Sequence, residues 1–355
     1  MVITAIGLLL GLVYFGYAYR RKKSFLESPL PLTVREVCHY GERHVSLTLQ
    51  RPDRSQLPPW TPGSHLVVNM EAPSGKYRRA YSIVDGDKDF WEIIIAAQPG
   101  GIVSNRLHEL AVGALIHVQP PRGRFFKLQR SKTRQVCLIG AGAGVSPLIP
   151  MARQALHQGY HVSLIHSVRY ERELIKADEL HTLADLNPNF RYTPVVTGKI
   201  CETLQASEGR INPSALQRWG LGHFTGEIYL CGSSDFVEQQ ASNLRQIGCQ
   251  GKIIKEAFTG SRGKILAKIQ VGSRHFAQGH SATLLAACEE NGVLPFAECR
   301  TGHCLNCRAT LQSGEVSYLS SSENRPRLRE NEILPCICIP KSDIVLRFPS
   351  VKVRS

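Results

Sequence analysis

The chain has 355 residues, room for two or three domains with cores of their own, and its 43% hydrophobic and 20% charged content is ordinary globular composition. That excludes a disordered chain, a fibrous repeat and a polytopic membrane protein. The formal charge of +14 raises an anionic partner, and the 11 cysteines are too few for a disulfide scaffold of this size, so their spacing carries the information.

Residues Val2 to Tyr19 hold no Asp, Glu, Lys or Arg. Eighteen helical residues reach roughly 27 Å, enough to cross a hydrocarbon core. Arg20, Arg21, Lys22 and Lys23 follow at once, and by the positive-inside rule they stay in the cytoplasm. The expectation is a single-pass anchor over 1–19, a basic linker over 20–31, and catalytic domains on the cytoplasmic face of the inner membrane. A signal peptide fits less well, because no basic residue precedes the apolar run and no small-x-small site ends it; a surface-lying helix is the remaining reading.

From Leu32 to about Arg130 the pattern is short and strand-like. Val34, Val45, Leu47 and Leu49 lie in alternating stretches, turn clusters such as Thr61-Pro62-Gly63 separate them, and Trp91 to Ala97 reads as a strong strand. Many short strands with Gly and Pro turns predict an antiparallel barrel or sandwich. From Gln135 the rhythm changes: an apolar strand (Val136 to Ile139), a Gly-rich turn, a helix (Pro147 to His157) and another strand (Val162 to His166) make a βαβ unit, hence a parallel sheet over 131–258. Residues 259–263 read as a linker, and 264–355 as a third body with strands, a helix from Thr283 to Glu290 and four clustered cysteines.

Those cysteines carry the sharpest signal. Cys299, Cys304 and Cys307 are spaced C-x4-C-x2-C, and Cys336 lies 29 positions beyond Cys307. Four thiolates complete a tetrahedral shell around each iron of a [2Fe–2S] cluster, and this is the plant-type spacing. Gly302 lets the backbone wrap the inorganic core. Zinc is the alternative, since Cys-x2-Cys also suits zinc, but zinc sites usually pair two such arms and the second is missing here. Cys338 stands two residues after Cys336; the expected ligand is Cys336, with Cys338 a packed thiol.

These residues resemble the plant-type ferredoxin domain from about Lys264 to the carboxyl end, which implies a β-grasp-like α+β fold. Free ferredoxin shuttles are usually acidic, whereas residues 260–355 carry 13 Lys and Arg against 8 Asp and Glu. That balance suits a cluster fed by its own chain.

Four elements precede it. Arg79-Ala80-Tyr81-Ser82 follows Pro62-Gly63-Ser64-His65. An Arg can neutralise a flavin phosphate, a Tyr ring can stack on an isoalloxazine, and a Ser hydroxyl can bond near its reactive nitrogen, although a plain β-strand would also read this way. Gly100-Gly101-Ile102-Val103-Ser104 exposes amides at a helix start and offers a pyrophosphate seat, or simply a helix start after a turn. Gly140 to Pro147 is a Gly-rich turn between strand and helix, a phosphate site by geometry without a G-x-G-x-x-G. Tyr229-Leu230-Cys231-Gly232 ends a strand where open α/β sheets bind ligands, and is otherwise ordinary packing.

In this order the four elements resemble the ferredoxin–NADP reductase superfamily from about Leu32 to Phe258. The resemblance implies that Arg79, Tyr81 and Ser82 bind the flavin, that Gly100, Gly101 and Ser104 meet its phosphates, that Gly142, Gly144, Ser146 and Pro147 hold the nicotinamide dinucleotide, and that Cys231 and Gly232 flank the nicotinamide ring. Lys255-Glu256-Ala257-Phe258 is similar to the family's carboxyl-terminal motif, with Phe258 near the flavin. Ser233 replaces the proline usual after Cys-Gly. FAD rather than FMN follows from family habit. The order flavin, nucleotide, ferredoxin resembles bacterial oxygenase reductases such as the phenylacetyl-CoA epoxidase and ketosteroid hydroxylase reductases.

The cofactors imply a path from NAD(P)H through FAD to the cluster, with Ser82 holding the acceptor nitrogen and Cys231 flanking the hydride, and then to an external acceptor: an oxygenase, hydroxylase or desaturase, membrane-bound if the anchor holds. A general diaphorase or redox sensor is the alternative. Ser167, Arg169 and Arg172 after the second strand of the βαβ unit lean towards NADPH, unless both arginines are plain surface. No basic helix, aromatic stacking platform or zinc-finger spacing supports a nucleic-acid partner.

Overall fold

The computed structural model describes residues 29–349 except 73–74, 99–100, 124–127, 129–132, 199–205, 259–264, 280, 282, 294, 301, 303 and 320–325. Alternating side chains close the first body into a six-stranded antiparallel barrel: β1 (Leu30–Tyr40), β2 (His44–Gln50), β3 (His65–Ala72), β4 (Gly75–Gly86), β5 (Trp91–Ala96) and β6 (Leu115–Arg122), in spatial order β1-β2-β5-β4-β3-β6. Inward residues such as Leu32, Leu47, Leu49, Leu66, Ile83, Trp91 and Ile93 fill it and are fully buried. Closure removes the unpaired edges an open sheet of this size would leave. β1 begins at Leu30, with Leu30 and Pro31 paired to Val118 and His117, so the barrel takes in the last two residues of the expected linker.

The second body is a parallel sheet in the order β10-β9-β8-β7-β11-β12, built from β7 (Gln135–Ala141), β8 (His161–Val168), β9 (Phe190–Val196), β10 (Ser207–Glu208), β11 (Glu227–Ser233) and β12 (Lys252–Phe258). Its central strands read as continuous apolar runs because helices cover both faces. The helices Leu148–His157 and Ala177–Leu186 pack on one face, and Pro213–Arg218 and Ser234–Gln246 on the other. The strand order reverses at β7, with β8 on one side and β11 on the other. Ligands of open α/β sheets bind at such a switch point.

The third body is a mixed sheet, β14-β13-β19-β15-β17, from β13 (Ile265–Val271), β14 (Arg274–Gly279), β15 (Ala309–Ser313), β17 (Glu332–Ile333) and β19 (Ile344–Arg347), beside the small pair β16 (Val316–Tyr318) and β18 (Cys338–Pro340). One helix, Leu284–Glu290, packs against it; the Thr283 hydroxyl accepts from the Ala286 N–H at 3.1 Å and caps its start.

The expected span Val2–Tyr19 and its basic run lie outside the described residues, and among those described no helix is long and apolar enough to cross a membrane. The expectation of a single-pass chain in the inner membrane is corrected accordingly. The reason for a membrane-bound acceptor, which was that span alone, goes with it.

Candidate functional site

The ends of β7 and β11 meet at the Gly-rich turn. Gly142 takes φ +51, and a Cβ on Gly144 would stand 2.4 Å from the Cys231 carbonyl oxygen, so only glycine lets the turn lie on the end of β11. Ser146 donates from Oγ to the Ala143 carbonyl at 2.7 Å, tightening the turn, and Pro147 leads into the helix. Beside the turn opens a cavity of about 670 Å3, whose lining includes Gly142, Gly144, Ser167, Arg169 and Arg210. Ser146, Cys231 and Gly232 are not part of that lining. A neighbouring cavity of about 520 Å3 is lined by Arg169, Tyr170, Thr197, Gly198 and Arg210. Arg169 and Arg172 both lie over the Tyr170 ring, at 5.2 and 5.1 Å. Glu173 also lines the larger cavity, but its Oε2 accepts the Arg169 and Tyr170 N–H groups at 3.2 Å each, which turns the carboxylate to the backbone.

His44 of the barrel enters the same cavity. It is buried, its Nδ1 has no hydrogen-bond partner, and its Nε2 lies 3.1 Å from where a Gly142 Cβ would be. Burial lowers it to about 4. Behind it His166 is fully enclosed and lowered by burial to about 3, with His44 adding to the shift.

On the barrel, Tyr81 and Ser82 stand half-buried on β4, where Ser82 pairs with His65 and Tyr81 with Leu66 across β3. Burial pushes the Tyr81 phenol up, so it stays neutral. The Arg79 guanidinium is held down by burial and by the nearby Arg300; its Nη2 meets Glu289 Oε2 of the third body at 3.1 Å. Gly101 precedes the helix Ile102–His108, and a Cβ there would strike Ser104 Oγ at 2.3 Å. Gly100 and the side chain of Phe258 lie outside what is described.

Behind the Gly-rich turn, Cys231 and Glu256 are register partners on β11 and β12, both buried, with Cys231 Sγ 4.0 Å from Glu256 Oε2. Burial, and then the neighbouring Cys299, push Glu256 up to about 8. Cys299 also acts electrostatically on His65, raising it against the burial that lowers it to about 4.

The four cysteines stand in two pairs. All four are free thiols: Cys304 N–H donates to Cys299 Sγ at 3.4 Å, the Cys299 and Cys304 thiols are within hydrogen-bonding reach of each other, and so are those of Cys307 and Cys336. Cys299, Cys307 and Cys336 are buried and Cys304 is half-buried. Among the described residues no three His, Cys, Asp or Glu side chains form a single-ion site. Arg300, Gly302 and Leu305 take φ of +57, +84 and +61, winding the loop about the thiols, and a Gly302 Cβ would lie 2.6 Å from Ile337 Cδ1. Two pairs of soft donors in a tight, glycine-dependent loop fit a [2Fe–2S] cluster, which takes two thiolates on each iron. Cys338 instead packs with Cys288 in the hydrophobic core beneath the sheet.

His44, Arg210 and the interactions of Glu256 have no sequence signal. His44 is an ordinary strand residue, Arg210 follows no motif, and Glu256 sits inside a quoted motif without an assigned part.

Family models match three consecutive stretches: an oxidoreductase FAD-binding domain over residues 29–126, an oxidoreductase NAD-binding domain over 138–242, and a 2Fe-2S iron-sulfur cluster binding domain over 269–341. The chain is 28% identical over 347 residues to the ferredoxin reductase component of 3-ketosteroid-9-alpha-monooxygenase of Mycolicibacterium smegmatis, covering 89% of this chain and 96% of that one. It is 29% identical to a flavohemoprotein of Rhodopirellula baltica and 28% to the toluate 1,2-dioxygenase electron transfer component of Pseudomonas putida, spanning only 58% and 63% of those relatives. The fold matches phthalate dioxygenase reductase with a TM-score of 0.63 at 19% identity, over 91% of this chain and 98% of that one.

Proposed function

We propose, from the premise that the chain is an NAD(P)H oxidoreductase of the ferredoxin-reductase type with FAD-binding, NAD-binding and 2Fe-2S modules, that it passes electrons from NADPH through FAD to the cluster and on to an oxygenase or hydroxylase component. Bound flavin turns a two-electron hydride into single electrons, which a [2Fe–2S] cluster relays. The observation that carries the reading is the seating of the third body on β4, the strand of the flavin motif: Glu298, next to Cys299, meets Arg78 at 2.9 Å, and Glu289 meets Arg79 at 3.1 Å. It supports a cluster lying against the flavin site of its own chain.

In this reading Arg79 faces the flavin phosphate, Tyr81 stacks on the ring, and Ser82 bonds its acceptor nitrogen. Gly100, Gly101 and Ser104 meet the pyrophosphate. Gly142, Gly144, Ser146 and Pro147 shape the coenzyme turn, Cys231 and Gly232 back the nicotinamide, and Phe258 borders the flavin. Glu256, protonated near neutral pH in its buried seat, holds a proton beside Cys231. Cys299, Cys304, Cys307 and Cys336 hold the cluster. NADPH is favoured because Ser167, Arg169 and Arg210 line the cavity while the Glu173 carboxylate is engaged by backbone amides. An oxygenase acceptor is favoured because relatives are named as electron-transfer components of dioxygenase and monooxygenase systems.

Anaerobic mixing of the purified chain with NADPH tests the path. The flavin band bleaches first and the iron–sulfur band second; a flavin that bleaches while the iron stays oxidised overturns it. Adding a candidate oxygenase component then restores the oxidised cluster, and no reoxidation by any such component leaves the diaphorase reading in its place.

A further inference from the structure

Glu298 precedes the first cluster cysteine and is only 4% exposed, a costly place for a carboxylate unless it is well paired. Its partners come from two bodies. From the barrel, Arg78 Nη2 lies 2.9 Å from Oε1, and Arg122 Nη1 lies 3.2 Å from Oε1 and 3.4 Å from Oε2. From its own loop, Asn306 Nδ2 donates to Oε2 at 2.9 Å. The carboxylate thus receives two guanidinium groups across the junction and one amide within the cluster loop. Both anchors stand beside the flavin motif: Arg78 is three residues before Tyr81 on β4, and Arg122 is the register partner of His65, itself opposite Ser82. Phe296, two residues upstream of Glu298, lies under the same Arg78, whose guanidinium is 4.6 Å above its ring.

The charge pattern is local. The third body is net basic, yet two of its acids, Glu289 and Glu298, face barrel arginines. Arg79 already serves the flavin motif, and it shares the Glu289 carboxylate with Arg300. Arg78 and Arg122 have no part in the flavin motif; both meet Glu298, and Arg122 also donates from Nη2 to Gln119 Oε1 at 3.1 Å.

We propose that Glu298 is the positioning residue for electron transfer from flavin to cluster: held between Arg78 and Arg122, it fixes the Cys299 end of the cluster loop at the barrel rim where the flavin motif stands. The proposal rests on the electron path given above. In each transfer one electron would leave the reduced flavin and one ferric ion would become ferrous, and over the two transfers the single proton that came with the hydride would go to solvent. A one-electron acceptor empties the cluster before the second electron follows, so a single hydride is spent in two such steps. Asn306 ties the same carboxylate to the loop, so the barrel contact and the loop conformation are set together.

The test uses the FAD- and cluster-loaded full chain and three variants: Glu298→Arg, which faces Arg78 and Arg122 with a like charge; Glu298→Gln, which keeps the shape and drops the charge; and Glu298→Arg combined with Arg78→Glu and Arg122→Glu, the exchanged set, which restores opposite charges at both contacts. Stopped-flow mixing with NADPH reads flavin reduction and cluster reduction separately, iron content reads cluster retention, and small-angle X-ray scattering of the oxidised protein reads the junction without turnover. Glu298→Gln should reduce its flavin within twofold of the parent rate and its cluster at least tenfold more slowly. Glu298→Arg should enlarge the radius of gyration and slow cluster reduction further, and the exchanged set should recover both. Parent-like cluster reduction in Glu298→Gln and Glu298→Arg overturns the proposal, as does a scattering profile of Glu298→Arg that matches the parent. Should a single variant lose iron, the exchanged set decides: recovery of iron and rate together supports positioning, and recovery of iron with cluster reduction still slow overturns it. A parent chain that reduces its flavin but never its cluster refutes the electron path itself, a distinct outcome.

Discussion

Gly144 and Cys231 meet backbone to backbone: a methyl group on the glycine would stand 2.4 Å from the Cys231 carbonyl oxygen and 2.9 Å from Gly232 Cα. Neither partner is a flexible side-chain end, so Gly144→Ala must move the turn off the end of β11. The expected result is a KM for NADPH raised tenfold or more, about 1.4 kcal/mol of lost binding, with flavin and cluster spectra unchanged. Titrating flavin reduction against coenzyme measures it, and a parent-like KM would show that the turn does not shape the coenzyme seat.

Acid should loosen the junction between the barrel and the nucleotide sheet. His44 and His166 have folded values of about 4 and 3, both lowered first by burial. Glu173 opposes the shift at His44, while Arg43 and His108 add to it. A histidine titrates near 6.5 when unfolded, so the unfolded chain binds more protons between that value and the folded one. Stability is therefore complete above about pH 6.5 and is lost as pH falls towards 4 and then 3. Melting temperature measured from pH 7 to pH 4 should drop in the parent and drop less steeply in His44→Gln; equal slopes would remove His44 from the account.

Lys176 joins the same two bodies from another side. It holds φ +51, and its Nζ lies 2.8 Å from Glu92 Oε2 in the barrel, where Ser46 donates to Oε1 of the same carboxylate. Glu92 is 7% exposed and the Lys176 side chain 15%, so solvent screens the pair little. Lys176→Met strands a buried carboxylate and should cost about 3 kcal/mol in a denaturant titration. Adding Glu92→Gln should recover most of that loss, and a single variant as stable as the parent would mean that water already satisfies Glu92.

What the sequence revealed was local. The cysteine spacing, the Gly-rich turn and the Arg79-x-Tyr81-Ser82 strand are short-range patterns whose chemistry depends on neighbours in the chain, and the change from alternating to apolar strands marked the barrel and the parallel sheet. What it hid was the junctions. Glu298 with Arg122, Lys176 with Glu92, and His44 with the Gly142 turn join residues far apart in sequence, and a lone charge on a strand looks like solvated surface until the partner body is present. The start of the barrel was missed for a related reason: Leu30 and Pro31 alone carry no alternation, and only pairing with β6 makes them strand. Arg210 belongs to the same class, since it reaches the larger cavity from a loop without periodicity.

Arg210 should separate the two coenzymes. It lines both cavities together with Arg169, and an arginine fork suits a 2′-phosphate that NADH lacks. Arg210→Ala should raise the KM for NADPH about tenfold and leave that for NADH within twofold. Steady-state reduction of ferricyanide with each coenzyme measures the ratio, and equal losses for both would assign Arg210 to the shared part of the molecule.

Cys336 and Cys338 are two residues apart and point to different fates. Cys336 is within hydrogen-bonding reach of Cys307 and packs with Leu285, Ala297 and Leu334 at the cluster loop, whereas Cys338 packs with Cys288 and Ile344 in the core of the sheet. Removing a ligand opens one iron to solvent, and removing a core thiol only trims packing. Cys336→Ser should therefore lose at least half of its bound iron and the visible iron–sulfur bands while keeping flavin reduction by NADPH. Cys338→Ser should retain iron and spectrum and lose about 1 to 2 kcal/mol of stability, because it puts a hydroxyl where the thiol packs among apolar side chains. Iron assay and absorbance on the two purified variants decide the assignment, and loss of iron in Cys338→Ser with retention in Cys336→Ser would reverse it.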